Sequence, residues 1–370
     1  MAHPSADVYG SDLQLLETVS GLVEAGWNVH TIVPSDGPLV PLLRARGATV
    51  VCRPFPVLRK ALLRPAALVR LVVQLALALP GMVRSVRRAG ADTVLVNTVT
   101  IPWWLLAGRL TRRLTVCHVH EAEEEGSRAV LSALALPNVL AHRVVVNSES
   151  SGRALTGVMP VLRRKVIVVH NGFPGPPDPP APPSRTDASG AAVIALIARL
   201  SPRKGIDIAL EAVASLRDAG RDVRLVVCGS TFPGYEWYED ELRQRIGQPD
   251  LAGSVELRGY VNPTWPVLAE SDIVIVPSRA EPFGNTAVEA LLAQRPLVVS
   301  AVQGLAEIVQ HDVNGLLARA DDAVDLAGRI AELLDDPVHA TALAATGRAD
   351  ALRRFSSEGY RTAMLAVLSG

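Results

Sequence analysis

The sequence is poor in aromatic residues and cysteine, and it has no excess of charge of either sign. Aromatic residues make up 4% of its 370 residues, three residues are cysteine, and 37 basic residues balance 37 acidic ones. A general nucleic-acid binder needs a basic excess, so we expect no nucleic-acid partner. Hydrophobic residues nevertheless make up 49% of the chain, a proportion that excludes an intrinsically disordered protein.

Neither a disulfide framework nor a membrane span is indicated. Cys52, Cys117 and Cys228 all fall in apolar, strand-like segments, and their odd number and spacing predict buried thiols in a reducing compartment. No secretory signal opens the chain. The longest apolar run, 71–83, is interrupted by a glutamine and a proline and is too short to cross a bilayer. We therefore expect a cytoplasmic protein.

The balanced charge conceals a difference between the two halves of the chain. Residues 1–185 contain 20 basic and 12 acidic residues, a net charge of +8, and residues 186–370 contain 17 and 25, a net charge of −8. Segment 57–88 combines basic and apolar residues without an acid. A helix of that kind can lie peripherally on the anionic inner face of a membrane. It also fits a core helix whose arginines extend to solvent, and both interpretations remain open.

A proline-rich segment divides the chain almost in half. Seven of the ten residues in 174–183 are proline, which fits a semi-rigid linker and excludes a central strand or helix. On each side, short β-branched runs alternate with helical patterns, which predicts two doubly wound α/β domains with parallel sheets. We place the domains at 1–173 and 186–355, with a linker at 174–185, and expect the helix at 356–370 to pack back on the first domain.

The first domain lacks the pattern of an opening strand. Its first helical pattern begins near Ser11, and the ten residues before it contain no strand pattern. A doubly wound sheet normally starts with a strand that becomes central, so we expect the first strand of this sheet to be missing. Ligands of such folds bind at the carboxyl ends of the strands, here in a crevice between the domains.

The segment 273–290 carries a pattern that suits an anionic ligand. A buried strand ends at Pro277, a short loop carries Glu281, and a helix begins around Gly284, with Glu289 one turn further on. The N–H groups and the dipole of a helix start attract anions. Two carboxylates eight positions apart can accept hydrogen bonds from sugar hydroxyls on one side and ribose hydroxyls on the other. The alternative is structural, with Glu281 as a partner of the helix dipole and Glu289 as a surface carboxylate.

The segment 195–207 places two cations at a strand-to-helix turn. Arg199 follows the strand, and Lys204 comes five residues later, just before the next helix. A guanidinium can bind two oxygens and an ammonium acts as a point charge, so this pair suits a diphosphate. Taken alone, the spacing of Arg199 and Lys204 favours a solvated basic turn.

Together the two segments resemble the retaining glycosyltransferases of family 4, which have the GT-B fold of two Rossmann-like domains facing across a cleft. That family has G-R-L-x3-K-G after the first strand of its second domain and an E-x7-E motif before a helix. This chain has A-R-L-S-P-R-K-G, with Ala198 in place of the usual glycine, and Glu281 to Glu289. The resemblance covers nearly the whole chain and includes H-V-H-E at 118–121 and V-V-H-N-G-F at 168–173.

The resemblance implies a role for each matching residue. Arg199 and Lys204 would bind the donor diphosphate and stabilise the charge on the departing nucleotide. Glu281 would bind hydroxyls of the donor sugar, and Glu289 would bind the ribose. His120 would line the sugar site. The implied catalytic residues are Glu281, His120, Arg199 and Lys204.

Backbone groups complete the implied donor site. The amides of Phe283, Gly284 and Asn285 would lie near the sugar and the phosphate. Gly10 would let the backbone approach the phosphates, although Ser11 follows it where the family often has a second glycine. His118 is the less favoured of the two histidines, and for both the alternative is packing at the end of a strand.

The implied activity needs neither a metal ion nor a cofactor. No D-x-D sequence occurs in the chain, whereas metal-dependent glycosyltransferases of the other common fold use such carboxylates to hold the diphosphate. The resemblance implies transfer of a sugar, with retention, from a nucleotide diphosphate sugar to a hydroxyl of a lipid-linked or cell-envelope glycan acceptor. Contact with an anionic membrane would occur through 57–88.

Two other functions share the architecture. A nucleotide-sugar epimerase would interconvert a donor without an acceptor, and the combination of Arg199 and Lys204 with the E-x7-E motif favours transfer over it. A non-catalytic nucleotide-sugar-binding protein is the second alternative, which the missing first strand supports. A dehydrogenase that binds NAD lacks support because no G-x-G-x-x-G follows any predicted strand.

Overall fold

The fold is described from a computed structural model of the chain. The structure describes residues 1–8, 10–58, 65–120, 128–178, 190–232 and 234–369, without the side chains of 65–72 and 129. The chain forms two compact α/β units. The first unit contains Met1–Gly172 and Ser357–Gly370, and the second unit contains Phe173–Ser356.

The second unit is a six-stranded parallel sheet. Its strands are β7 (Ala192–Ile197), β8 (Val223–Cys228), β9 (Val255–Gly259), β10 (Ile273–Val276), β11 (Leu297–Ser300) and β12 (Leu316–Ala318). They are arranged in the order β12-β11-β10-β7-β8-β9. The helices between and after them are α7 (Ile206–Asp218), α8 (Glu236–Ile246), α9 (Trp265–Glu270), α10 (Asn285–Leu292), α11 (Leu305–Ile308), α12 (Ala323–Asp335) and α13 (Pro337–Arg354).

This strand order has its reversal point between β7 and β10. The chain winds outward from β7 to β9 on one side and from β10 to β12 on the other. Every side chain of β10 and β11 is buried, because helices cover both faces of the sheet. The loops that follow β7 and β10 therefore meet at the carboxyl edge of the sheet, where doubly wound folds bind their ligands.

The first unit also has a parallel sheet covered by helices. Its strands are β1 (His30–Val33), β2 (Thr49–Cys52), β3 (Thr93–Val96), β4 (Leu114–Val119), β5 (Arg143–Val146) and β6 (Val166–Val168). Its helices are α1 (Gly10–Glu24), α2 (Leu39–Ala45), α3 (Pro65–Arg88), α4 (Trp103–Leu110), α5 (Arg128–Ala135), α6 (Glu149–Val158) and α14 (Ser357–Leu368). The parallel α/β architecture predicted for both halves is confirmed.

The strand expected to be missing is present in reduced form. Ala2 makes parallel bridges to Ile32 of β1 and to Val96 of β3. It thereby joins the β1–β2 pair to the four strands β3-β4-β5-β6. The expectation was wrong because three residues are too short to show a periodic pattern, yet Ala2 is 1% exposed and His3 is fully buried. The central position of this sheet is therefore occupied.

The last helix, α14, packs on α1. The Tyr360 and Thr18 hydroxyls are 2.7 Å apart, and the Arg361 guanidinium pairs with Glu17 at 2.7 Å and with Glu24 at 2.9 Å. Glu17 is 6% exposed, so this carboxylate is compensated by a cation brought from the far end of the chain. The contact closes the first unit on the α1 side of its sheet.

One cysteine departs from the sequence-based expectation. Cys117 and Cys228 are buried, whereas Cys52 is exposed. Cys52 ends β2, which lies at the edge of its sheet and has only one half-buried residue among four. An apolar run at a sheet edge is covered on fewer sides than one in a central strand, and the sequence alone does not distinguish the two.

Candidate active site

The second unit brings its predicted cations and the Glu281 carboxylate together at the reversal point of the sheet. Arg199 and Lys204 follow β7, and Glu281 follows β10. The Lys204 ammonium forms an ion pair with the Glu281 carboxylate. Their side chains are 17% and 11% exposed, so the pair is largely desolvated. Two residues that the sequence suggested separately therefore form one site.

Backbone packing explains why these loops meet. Gly205 follows Lys204 with φ +67°, a left-handed conformation that favours glycine. A Cβ at this position would lie 2.0 Å from the carbonyl oxygen of Pro277. Thr286, in the first turn of α10, donates a hydrogen bond to the carbonyl of Ile197 at 2.9 Å. The ends of β7 and β10 are thus held in direct contact.

The electrostatics of the pair favour bound anions. Burial acts to raise the pKa of Glu281, but the charges of Lys204 and Arg203 outweigh it, and this pKa lies below its ordinary value. Burial lowers the pKa of Lys204, Glu281 acts to raise it, and the nearby charges of Arg203 and Arg199 lower it further. Lys204 and Arg203 therefore act on the Glu281 carboxylate, and Arg199 adds a third cation near Lys204. This part of the unit has a local positive excess, although the sequence of the unit is acidic overall.

Arg279, which the sequence analysis did not single out, links the loop after β10 to the loop after β7. The Arg279 guanidinium binds both carboxylate oxygens of Asp207, at 2.9 and 2.7 Å, and donates to the carbonyl of Pro202 at 2.6 Å. The amide of Arg279 donates to the carbonyl of Arg203, and Arg203 donates to the carbonyl of Ala280, both at 2.8 Å. Nothing in the local sequence signals a pair separated by 72 positions.

Arg199 lies against an aromatic side chain. The carbon of its guanidinium is 3.1 Å from the centre of the Phe232 ring. A planar guanidinium stacks well on an aromatic face, and its N–H groups then point outward along the plane of the guanidinium. Phe232 is 42% exposed, so the arginine is fixed beside solvent and not deep in the core.

The start of α10 is built around close contacts. Gly284 precedes the helix with φ +120°, and a Cβ there would lie 2.5 Å from Leu305. The Phe283 side chain is 3% exposed and packs edge-on against Phe355, with ring centres 5.6 Å apart. The side chain of Phe283 therefore belongs to the core, and only its backbone remains a candidate for ligand contact. Asn285 is the first residue of α10 and is half-buried.

Glu289 lies one turn into α10 in a different environment from Glu281. It is half-buried and accepts a hydrogen bond from the Thr264 hydroxyl at 3.2 Å. Burial raises the pKa of Glu289 to about 7, although the hydrogen bond from Thr264 acts to lower it. The two carboxylates of the E-x7-E motif thus differ in charge state near neutral pH.

Gly10 and His120 belong to the first unit. Gly10 is the first residue of α1, and His120 follows β4. The imidazole of His120 lies 3.0 Å from the Asn97 side chain. The ring of His118 is fully buried, and neither of its nitrogens has a hydrogen-bond partner among the described residues. His120 is therefore the better placed of the two histidines for a polar role.

Part of the basic segment 57–88 can be located. Residues 59–64 lie outside the described residues, and 65–88 forms α3. Along the described part of α3, Val73 and Leu77 are 53% and 78% exposed. About two turns after Leu77, the helix exposes Arg84, Arg87 and Arg88. Among the described helices, none is long and apolar enough to cross a membrane.

One group of potential metal ligands lies away from this site. Asp312, Glu332 and His339 are close enough to share an ion, and His339 pairs with Asp312 at 2.9 Å. Asp312 precedes β12, so the group lies at the amino edge of the sheet, opposite to Lys204 and Glu281. It has no part in the candidate site.

Comparisons with known proteins identify the family. Residues 9–174 match the family model described as Glycosyltransferase Family 4, and residues 182–350 match the one described as Glycosyl transferases group 1. Together the two models account for both halves, and the chain belongs to the family 4 glycosyltransferases.

Two curated relatives show how far the sequence similarity extends. D-inositol 3-phosphate glycosyltransferase 1 of Catenulispora acidiphila is 36% identical over 46% of this chain, and the match spans 41% of that relative. Several curated relatives are likewise matched over less than half of their own length. The 2-deoxystreptamine glucosyltransferase of Streptomyces kanamyceticus is 27% identical over 91% of this chain and 92% of its own.

Solved structures show the same architecture. The structure of Anabaena HepE in complex with UDP superposes with a TM-score of 0.83, at 25% identity, over 100% of this chain and 98% of HepE. Sucrose-phosphate synthase of Thermosynechococcus elongatus superposes with a TM-score of 0.75 at 20% identity. The GT-B fold, with two Rossmann-like domains, is confirmed.

Proposed function

We propose that this family 4 glycosyltransferase transfers a sugar, with retention and without a metal ion, from a nucleotide diphosphate sugar to a hydroxyl of a lipid-linked or cell-envelope glycan. The observation that carries the proposal is the meeting of Arg199, Lys204 and Glu281 at the reversal point of the second unit's sheet. An anionic ligand and a polyhydroxylated one can both be bound there.

The cations suit the diphosphate and the carboxylate suits the sugar. Lys204 provides a point charge, and Arg199, stacked on Phe232, presents its N–H edge for two phosphate oxygens. Glu281 is ionised and accepts hydrogen bonds from sugar hydroxyls. Because Glu281 contacts Lys204 directly, it also orients the ammonium that faces the diphosphate.

Transfer with retention follows from attack on the face that the nucleotide leaves. The bond between the anomeric carbon and the diphosphate oxygen breaks, and the acceptor oxygen bonds to that carbon from the same side. The proton of the acceptor hydroxyl passes to the departing phosphate oxygen. Lys204 and Arg199 stabilise the negative charge that develops on the diphosphate as this bond breaks, which is where fixed cations lower the barrier most.

Transfer without a metal ion requires that the protein itself supplies the positive charge beside the diphosphate. Arg199, Arg203 and Lys204 lie close enough together for the two arginines to affect the pKa of the lysine, and fixed cations and a helix start can take the place of a divalent ion. We expect transfer to persist in excess EDTA. Loss of activity in EDTA, restored by Mg²⁺ or Mn²⁺, would overturn this part of the proposal.

The acceptor is proposed to bind the first unit. A groove of about 840 Å³ lies at the carboxyl ends of β1 and β2 and is lined by Asp7, Asp36, Phe55 and Leu77, among others. Leu77 also belongs to the exposed apolar part of α3. A lipid-linked glycan can therefore place its polar head against Asp7 and Asp36 while α3 lies on an anionic membrane.

A small soluble cyclitol is the second candidate acceptor. Two relatives are named for such acceptors, D-inositol 3-phosphate and 2-deoxystreptamine, and the latter relative matches over most of both chains. The two carboxylates of the groove suit the amino groups of an aminocyclitol equally well.

A two-step assay separates transfer to a lipid-linked glycan, transfer to a cyclitol and epimerisation of the donor. The protein is first screened by thermal shift against UDP-, GDP- and dTDP-sugars, beginning with UDP because the HepE structure holds it. A donor present at 100 times its Kd stabilises the protein by about 2.7 kcal/mol. The donor found is then incubated with membrane lipid extract or with a cyclitol panel. Transfer to either supports glycosyl transfer, while interconversion of the donor without an acceptor would show an epimerase.

A further inference from the structure

Four polar side chains of the first unit form a continuous hydrogen-bonded row. The Asp12 carboxylate lies 2.5 Å from Nε2 of His3, and Nδ1 of His3 lies 3.0 Å from Nδ2 of Asn97. Oδ1 of Asn97 lies 3.0 Å from Nε2 of His120. The row connects the first turn of α1, the short central strand, the end of β3 and the end of β4, across the reversal point of this sheet.

Each hydrogen bond of this row has one donor and one acceptor that the chemistry of the groups determines. A carboxylate only accepts hydrogen bonds, so Nε2 of His3 carries the proton that Asp12 receives. The amide nitrogen of Asn97 faces Nδ1 of His3, so Nδ1 accepts and the Asn97 amide donates to it. The remaining Asn97 atom on the row is its carbonyl oxygen, which accepts from Nε2–H of His120. The charge of Asp12 therefore determines the tautomer of a ring three hydrogen bonds away.

Burial makes the row rigid. His3, Asn97 and Asp12 are 0%, 1% and 3% exposed. A buried polar group that loses its partner is strongly penalised, so a fully connected row keeps one arrangement. Burial also lowers the pKa of His120 to about 3. The ring consequently stays neutral across the physiological range and retains one acceptor nitrogen.

We propose that Asp12, His3 and Asn97 are positioning residues that hold His120 in its Nε2–H tautomer, with Nδ1 as the hydrogen-bond acceptor. This inference rests on the proposed function and on the role that the family resemblance implies for His120, which is to line the sugar site. There Nδ1 would accept a hydrogen bond from a donor-sugar hydroxyl. A ring free to change tautomer would offer that hydroxyl an N–H group for part of the time, and productive binding would fall.

The tautomer can be measured without any turnover. In protein labelled with ¹⁵N-histidine, two-bond ¹H–¹⁵N spectra report which ring nitrogen carries the proton, and His120→Gln assigns the signal among the eight histidines. We expect Nε2–H for His120 in the unmodified chain. In Asp12→Asn the side chain is isosteric but can donate as well as accept. The row is then able to reverse, and we expect the His120 nitrogen shifts to move towards a mixture of tautomers.

Two further variants separate positioning from stability. Asn97→Ala removes the acceptor for His120, whereas Asn97→Asp keeps an acceptor at the same place and is expected to preserve the Nε2–H tautomer. Asn147→Ala is the matched control, because Asn147 is also a buried asparagine after a strand of this sheet, 3% exposed, and accepts from Ser151 at 3.0 Å. It is expected to leave the His120 signals unchanged.

Activity gives the second measurement. With the donor found by thermal shift, kcat/KM is expected to fall about tenfold in Asp12→Asn and in Asn97→Ala, the effect of one lost hydrogen bond in the transition state, and to recover in part in Asn97→Asp. An Nδ1–H tautomer in the unmodified chain, or unchanged His120 shifts in Asp12→Asn, would overturn the proposal. If the tautomers behave as expected but no donor is turned over, the proposed function fails and the row stands.

Discussion

Lys204 and Glu281 are separated by 77 positions in the sequence and form an ion pair at the reversal point of the second unit's sheet. One follows β7 and the other follows β10, so only the parallel winding of the chain brings them together. Their contact changes the meaning of the E-x7-E motif. Its first carboxylate, which we propose binds sugar hydroxyls, is also the partner of a cation.

Removing one partner of this pair is expected to be costlier than removing both. Lys204→Met leaves the Glu281 carboxylate buried without its main cation, which should lower the free energy of unfolding by about 3 kcal/mol. The double variant Lys204→Met/Glu281→Gln leaves no buried charge and should be more stable than Lys204→Met. Urea denaturation measures both.

The exposed pair Arg221 and Asp335 provides the control for this cycle. This pair is in direct contact too, at 2.7 Å, but the Asp335 side chain is 62% exposed. Arg221→Met should therefore lower the free energy of unfolding much less than Lys204→Met does, because solvent screens an exposed pair. Equal losses in Lys204→Met and Arg221→Met would contradict the assignment of a desolvated pair at the site.

Arg279 is expected to act on donor binding without touching the donor. Arg279→Lys keeps the charge but not the two-pronged contact with Asp207, so the loops that carry Lys204 and Glu281 should loosen. We expect donor affinity to fall about tenfold in isothermal titration, the effect of roughly 1.4 kcal/mol. Arg243→Lys, at an exposed pair on α8, should leave it unchanged. Similar affinities for both variants would show that the contact between Arg279 and Asp207 has no influence on donor binding.

Glu289 is expected to make donor binding dependent on pH near neutrality. Its pKa is raised to about 7, and only the ionised form accepts hydrogen bonds from both ribose hydroxyls. Between pH 8 and pH 6 the ionised fraction falls about tenfold, and the affinity for UDP-glucose should fall with it. UDP-glucose is chosen because its diphosphate does not titrate in this range. In Glu289→Gln the affinity should be lower at pH 8 and independent of pH.

The same carboxyl predicts the direction of a stability change. Its pKa in the folded protein lies above the value of an unfolded chain, so the folded state binds the proton more tightly between those two values. Its contribution to stability is therefore complete below about pH 4.5 and is lost as the pH rises through 7. The difference in unfolding free energy between Glu289→Gln and the unmodified chain should grow over this interval. A constant difference would place the titrating group elsewhere.

The exposed face of α3 is expected to bind anionic membranes. Replacing Arg84, Arg87 and Arg88 by glutamine removes three charges, each contributing on the order of 1 kcal/mol near an anionic surface. Co-sedimentation with vesicles containing phosphatidylglycerol should fall by at least tenfold, while donor affinity stays unchanged.

A second triple variant with the same change in charge is the control for α3. Arg153, Arg163 and Arg164 are exposed elsewhere on the first unit, and their replacement by glutamine should reduce binding far less. If vesicle binding is absent from the unmodified chain, or is reduced equally by both triple variants, α3 is not a membrane-binding helix.

The regular parts of the fold could be predicted from the sequence because their signals are local. β10, with four consecutive apolar β-branched residues, and α7, with its cap region at Gly205, are recognisable without a structure. The strand at Met1–His3 was missed since a bridge of three residues has no period. The exposure of Cys52 was missed because the residues of a strand do not show whether that strand lies at the edge or in the centre of its sheet.

The candidate site divides in the same way. The residue types at Arg199, Lys204 and Glu281 indicate a diphosphate and a sugar, but their contact depends on strand order. The pair between Arg279 and Asp207 and the row from Asp12 to His120 join residues that are distant in sequence. Such pairs leave no local pattern, and only the packed structure shows them.

The stereochemistry of the product tests the central claim most directly. An α-linked donor sugar labelled with ¹³C at its anomeric carbon is incubated with the protein and its acceptor, and the one-bond carbon–proton coupling of the product is measured by NMR. An α-linked product that forms in excess EDTA and is strongly reduced in Lys204→Met and in Glu281→Gln is the predicted result. A β-linked product, or unchanged transfer in both variants, would contradict the account.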